Sequence, residues 1–234
     1  MAIYYLEEDA EPGFPDPNLA NEDGILATGG NLSIEWLLTA YGQGIFPWFN
    51  EEDPILWWSP DPRLILLPQE FKLSKSLKRV IKKKQLVVKF DHQFTKVIEA
   101  CSKAPRGDQD GTWLTKEMKE AYIKLHERGL AHSVEVYEQD ELVGGLYGVS
   151  LGKYFCGESM FFKKRDASKV ALYYLCQELS RWGFHFIDGQ VETAHLISLG
   201  AQNVAREDFL SILNEALTHP TCLGKWTKTI RDEF

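Results

Sequence analysis

The sequence predicts an α+β fold, with a small loop-rich N-terminal domain over residues 1–62 and a larger domain over residues 63–234 on a mostly antiparallel sheet. Three observations carry this. Prolines concentrate in the first 62 residues, where aromatic residues between Trp36 and Trp58 are interrupted by turn signals. Beyond that point the apolar residues fall into regular strand and helix periods. Finally, a run of strand-like segments after residue 130 gives way to alternating helix and strand. At 234 residues the chain has room for one large domain or a main domain with a small companion.

Each element has a local reason. Ser33 caps a helix with Ile34, Leu37, Leu38 and Tyr41 on one face, ended by Gly42 and Gly44. The stretches Gly44–Phe49 and Ile55–Arg63 are read together as too rich in proline for a central strand. Leu64–Leu67 reads as a strand. Ser74 then caps a helix to about Lys84, with Leu77, Val80 and Ile81 on its apolar side. Leu86–Phe90 is a strand and Phe94–Cys101 a short helix. Thr115 caps a longer helix carrying Met118, Tyr122 and Leu125, closed by Gly129. The meander comprises Ser133–Tyr137, Leu142–Leu151 and Tyr154–Glu158. A helix over about Ala167–Trp182, a strand at Phe184–Asp188 and closing helices at Ala194–Leu199 and Asp208–Leu217 complete the reading.

Charge is unevenly spread. The formal net charge is −8, yet residues 71–89 carry eight basic side chains and no acid. The remainder is −16, with 18 basic against 34 acidic residues. A dense basic strip on an acidic body suits a polyanion held at one place, although a short lysine run ordinarily marks a solvated helix face. A composition of 44% hydrophobic and 26% charged residues is ordinary for a folded protein and argues against disorder. No uncharged apolar run approaches the roughly 18–20 residues of a membrane span. The N-terminal residues are acidic where a signal peptide is basic, and the four cysteines form no CxxC pair. A cytoplasmic protein with reduced thiols is expected. The six histidines form no HExxH motif or Cys/His cluster, so no metal site is expected.

Four local motifs bear on chemistry. Gly157-Glu158-Ser159-Met160-Phe161 lacks the second glycine of a nucleophile elbow. Gly144-Gly145-Leu146-Tyr147-Gly148 has no lysine or helix after it for a phosphate loop, and suits a bulge or a close ligand approach. The meander–helix–strand order suggests a GNAT acyltransferase, but Lys163–Lys169 has no glycine to admit a coenzyme A pyrophosphate. Asp188-Gly189-Gln190 ends a strand. Two residues apart on a continuing strand, Asp188 and Gln190 share a face, and an acid beside an amide can set which way the amide points.

A longer series of segments carries more information. It includes Asn21–Leu32, Gly44-Ile45-Phe46-Pro47-Trp48-Phe49, Leu56–Arg63, His132–Val136, Leu142–Gly148, Phe155–Phe161, Ala167-Ser168-Lys169 and Ser198-Leu199-Gly200-Ala201. In this order, over about residues 15–210, the chain resembles the leucyl/phenylalanyl-tRNA–protein transferase family. The resemblance implies a two-domain enzyme with a GNAT-like larger domain. It implies transfer of leucine or phenylalanine, and in some members methionine, from aminoacyl-tRNA to an N-terminal Arg or Lys of a protein, which marks that protein for N-end-rule degradation. No metal or coenzyme is implied.

By family position, Asp188 and Gln190 form a catalytic relay and Glu158 is the site glutamate. Leu146, Phe155, Ser159, Leu175 and Ile187 match the aminoacyl pocket, with Leu175 more readily read as plain core. Tyr41, Trp48 and Trp113 match aromatics expected to stack near the terminal adenosine. Lys72, Lys75, Lys78, Arg79, Lys82, Lys83 and Lys84 form the face expected to hold tRNA. Leu146 stands where some members have methionine, and Gly189 where cysteine occurs.

Overall fold

The computed structural model describes residues 3–104 and 114–230. Its N-terminal part contains β1 (Tyr4–Leu6), β2 (Ile25–Gly29), α1 (Ile34–Gly42), β3 (Phe46–Pro47) and β4 (Leu56–Trp58). These strands make a four-stranded sheet in the order β1-β2-β4-β3. The reading of Ile55–Arg63 as unsuited to a central strand is therefore corrected, because β4 lies inside this sheet. Pro54 and Pro60 flank its three residues without entering them, so no ladder donor is lost. The strands here have two to five residues, too few for periodicity to show.

The remainder runs β5 (Arg63–Leu66), α2 (Lys75–Lys82), β6 (Val87–Phe90), α3 (Phe94–Ser102), α4 (Lys116–Glu127), β7 (Ala131–Glu138), β8 (Glu141–Leu151) and β9 (Tyr154–Phe162). It continues with α5 (Ala167–Arg181), β10 (Phe186–Gln190), α6 (Ala194–Ser198), β11 (Gln202–Val204), α7 (Arg206–Leu217) and β12 (Lys228–Ile230). The strands form an eight-stranded sheet ordered β11-β5-β10-β9-β8-β7-β6-β12. Its pairings are antiparallel except β9 with β10. That exception follows from α5, which supplies the crossover that parallel neighbours require. The expected α+β class is thus the observed one. The predicted caps also form: Ser33, Ser74 and Thr115 accept from the backbone N–H of Trp36, Leu77 and Met118.

Strand alternation builds two apolar layers. Leu64, Leu66, Leu146, Phe155 and Ile187 face the layer under α5 and α2. Their neighbours Ile65, Tyr147, Tyr154, Cys156 and Phe186 face the opposite layer, shared with α1, α3, α4 and α7. The N-terminal sheet packs into this second layer through Leu26, Ala27 and Trp57. Glu158 on β9 is thereby buried beside Tyr41 of α1 and Tyr122 of α4.

Gly148 shows how tightly the meander is packed. The β8–β9 register shifts between Tyr147 and Gly148, so the bulge reading holds, and protein atoms rather than a ligand occupy the space. A Cβ there would meet the Cys156 carbonyl oxygen and the Phe155 ring. Gly148→Ala should destabilise the protein by about 1–3 kcal/mol through overpacking, read as a lower urea midpoint at unchanged slope.

Candidate active site

A cavity of about 420 Å³ opens where β8, β9 and β10 meet α5. Leu146, Phe155, Leu172, Leu175 and Ile187 supply apolar walls, with Met160, Phe46 and Trp48 beside them. Sheet register places these walls together: Ile187 pairs with Phe155 across the parallel pair, and Leu146 pairs with Met160. Glu158, Asp188 and Gln190 are the acidic and amide groups in the lining.

Those polar groups are held by a buried ion pair. Arg63 donates from Nε to Asp188 Oδ1 at 2.9 Å and from Nη2 to Oδ2 at 2.7 Å. Its Nη1 donates to the Gly44 carbonyl at 3.1 Å, and its guanidinium lies 4.8 Å from the Phe46 ring and 4.4 Å from the Phe209 ring. Gly44 has a positive φ of 73°, and a Cβ on it would strike Phe209. A glycine is required there for α7 to cover the arginine.

Asp188 Oδ1 also accepts the Gln190 backbone N–H at 2.8 Å. Gln190 has a φ of 63°, and the β10–β5 register shifts between Asp188 and Gln190. The carboxylate thus pins a left-handed residue at the strand end, a conformation that otherwise costs an L-residue about 1–2 kcal/mol. The Gln190 side chain turns toward β9, where Nε2 donates to Glu158 Oε1 and to Cys156 Sγ, both at 3.3 Å. Glu158 is in turn hydrogen-bonded to the hydroxyls of Tyr41 at 2.8 Å and Tyr122 at 2.7 Å. Burial pushes the Glu158 carboxyl up to about 7 against the pull of its tyrosine hydrogen bonds. Burial likewise raises the Cys156 thiol well above its ordinary value, so it remains protonated and donates to Asp188 at 3.5 Å.

A family profile described as "Leucyl/phenylalanyl-tRNA protein transferase" matches residues 65–214, and a profile for that family's N-terminal domain matches residues 30–61. The chain belongs to the leucyl/phenylalanyl-tRNA protein transferase family. A leucyl/phenylalanyl-tRNA–protein transferase from Hydrogenovibrio crunogenus is 55% identical over 217 residues, covering 92% of this chain and 84% of the relative. One from Maridesulfovibrio salexigens is 54% identical, covering 97% and 94%. Among solved structures, a GCN5-related N-acetyltransferase from Kribbella flavida overlaps 72% of this chain and 60% of its own at a TM-score of 0.37 and 8% identity, too loose an overlap to argue from.

For a leucyl/phenylalanyl-tRNA protein transferase family member, the structure brings most of the residues expected in the catalytic and aminoacyl site to one place. Asp188, Gln190 and Glu158 converge, and Trp48, Leu146, Phe155, Ser159, Leu175 and Ile187 line the same cavity. Trp113 lies outside the described residues. Two expectations are corrected. Asp188 and Gln190 do not share a face on a continuing strand, because the register shift and the positive φ intervene. Asp188 grips the Gln190 backbone while Glu158 orients its amide. Tyr41 presents no ring face for stacking, since it is 1% exposed and its hydroxyl is tied to Glu158 and Tyr122.

Lys72, Lys75, Lys78, Arg79, Lys82, Lys83 and Lys84 are exposed on and around α2, and none lines the cavity. Among the described residues, no group of three His, Cys, Asp or Glu is placed to hold a metal ion, and no helix is long and apolar enough to cross a membrane.

Sequence reasoning missed Arg63, Tyr122, Leu172 and His195. Arg63 had one readable signal, a charge directly before the apolar run Leu64-Ile65-Leu66. Its side chain is 1% exposed, so removing it strands the Asp188 carboxylate away from water. Arg63→Met should cost about 3–5 kcal/mol in chemical denaturation, and adding Asp188→Leu should recover much of that loss because no unpaired charge remains buried.

Proposed function

We propose that this protein moves leucine or phenylalanine, with methionine as a further donor, from aminoacyl-tRNA to an N-terminal Arg or Lys of acceptor proteins, marking them for N-end-rule degradation. The single observation that carries the reading is an apolar cavity of about 420 Å³ with an oriented glutamine amide at its polar end, in a member of this family. Residues 1–62 and 63–234 are taken as its two domains, and the cytoplasm as its place of action. No cofactor enters the reaction.

The bond to be made needs little activation. The ester joining an amino acid to the tRNA ribose is already reactive, so positioning and proton handling supply most of the catalysis. The acceptor amine attacks the ester carbonyl carbon. The C–N bond forms, the C–O bond to the ribose breaks, one amine proton is lost, and the ribose oxygen leaves as a hydroxyl after taking up a proton. Gln190 is assigned to orient the amine: with Nε2 turned to Glu158, its Oε1 is free of that contact to accept an amine N–H. An amide oxygen is too weakly basic to keep the proton, and an α-amine of pKa about 7.7–8.0 has a usable neutral fraction near neutrality. Asp188, held by Arg63, fixes the Gln190 backbone. Asp188 is spent on the pair with Arg63, and Glu158 is assigned to the acceptor's end of the site as a hydrogen-bonding group.

Leu146, Phe155, Leu175 and Ile187 are assigned to the aminoacyl side chain, with Ser159 and Trp48 beside the ester and the terminal adenosine. Trp113 is assigned to the adenosine by family position. Apolar walls select by size, at about 1–3 kcal/mol per methylene, so the three donors should overlap. A coenzyme A-dependent acyltransferase is the weaker reading. Asp166 sits at the start of α5 where a pyrophosphate would lie, and Ala167 packs against Gly144.

Incubation with Phe-tRNA and a peptide beginning with Arg should yield the Phe-Arg peptide by mass spectrometry. No product with Leu, Phe or Met donors would end this reading. The basic face is assigned to the tRNA backbone. Replacing Lys78, Arg79, Lys82 and Lys83 together with Ala should weaken tRNA binding and flatten the plot of log affinity against log salt by about 3. An unchanged slope would make them solvated residues only.

A further inference from the structure

Glu158, Tyr41 and Tyr122 close a ring of oxygens beneath Gln190. Tyr41 Oη is 2.8 Å from Glu158 Oε1, Tyr122 Oη is 2.7 Å from Glu158 Oε2, and the two phenol oxygens are 2.7 Å apart. Each separation is that of a formed O–H···O hydrogen bond, and each such bond uses one proton. The two phenols supply two protons for three contacts. With an ionised Glu158, one contact would set oxygen lone pairs against each other in a buried site. A proton on Glu158 completes the set: Glu158 Oε2–H donates to Tyr122, Tyr122 donates to Tyr41, and Tyr41 donates to Glu158 Oε1. The remaining lone pair of Oε1 then accepts the Gln190 Nε2–H.

We infer that Glu158 rests as a neutral carboxylic acid in a closed three-proton ring with Tyr41 and Tyr122, and that these tyrosines are positioning residues for the Gln190 amide. The inference rests on the reading of Gln190 as the group that orients the acceptor amine. It assigns a protonation state and two residues to that site.

The surroundings agree with a neutral acid. Tyr41 reaches Glu158 from α1 and Tyr122 from α4, with Tyr147 of β8 packed against Tyr122. Cys156 lies on the same strand, with Tyr154 beside it, and Asp188 and Gln190 approach from β10. Arg63 of β5 carries positive charge nearby, but its Nε and Nη2 are committed to Asp188. Burial is the largest influence and favours the uncharged form, and the Asp188 charge adds to it.

The test is a difference infrared spectrum, wild type minus Glu158→Gln, followed through a pH titration without substrate. The expected result is a protonated-carboxyl stretch that fades with a midpoint near 7, well above an ordinary glutamate. Tyr41→Phe and Tyr122→Phe should each raise that midpoint. Each removes a hydrogen bond to the ionised form, and bonds to a charge are worth more than those to the neutral acid. Each should also lower kcat for transfer, with a smaller change in acceptor KM. Either variant is sufficient should the other fail to fold. A wild type with no such band on the acid side of neutrality overturns the inference, as does a midpoint that neither variant moves. A protein that shows the band without transferring an amino acid retires the transferase reading instead, and one that transfers without the band retires only the ring.

Discussion

The buried contact between Arg63 and Asp188 is the constraint around which the site is arranged. Taking two charges out of water costs several kcal/mol per ion, so such a pair persists only where its geometry is nearly complete. Here both carboxylate oxygens are engaged, a third guanidinium nitrogen reaches the Gly44 carbonyl, and two aromatic rings cover the guanidinium. Those partners come from the segment after α1, from β3, from β10 and from α7. One side chain therefore ties the N-terminal part of the chain to the closing helix across the strand that ends in Gln190. The spare capacity of Asp188 goes to the Gln190 backbone, which stabilises the left-handed turn at the strand end.

The second constraint is the enclosure of Glu158. A glutamate on β9 enters the apolar layer between the sheet and α1, α3, α4 and α7, and it is tolerable there because two phenols and an amide meet it. The same alternation sends Phe155, Leu146 and Ile187 to the other side, where they form walls for the cavity. A polar end and an apolar bowl thus arise from neighbouring residues on the same strands. The glutamine amide stands between them, oriented from the polar side and open to the cavity.

Legibility in the sequence followed the range of the forces involved. The helices capped by Ser33, Ser74 and Thr115 were readable because a cap and an i, i+3, i+4 stripe lie within a dozen residues. The long strands of the meander were readable by alternation. Strands β1 and β2 at the N-terminus, and β11 and β12 near the C-terminus, were not. Three to five residues give no period, and each forms by pairing with a strand distant in sequence. In the site, the spacing of Asp188 and Gln190 drew notice locally as a weak signal, but their catalytic role, and that of Glu158, came from the family resemblance.

By itself the sequence determined the α+β class, the lysine-rich face on α2 and, through its ordered segments, the family. These depend on local propensity, charge counts and residue identity, all written along the chain. Only the tertiary structure decided that Glu158 rather than Asp188 orients the Gln190 amide, that Tyr41 is a buried hydrogen-bond donor and not a stacking platform, and that Arg63 holds Asp188 across 125 positions. Such assignments turn on which buried donors find which acceptors. Burial makes every unpaired polar group costly, so the partners are chosen by packing in three dimensions and not by proximity in sequence.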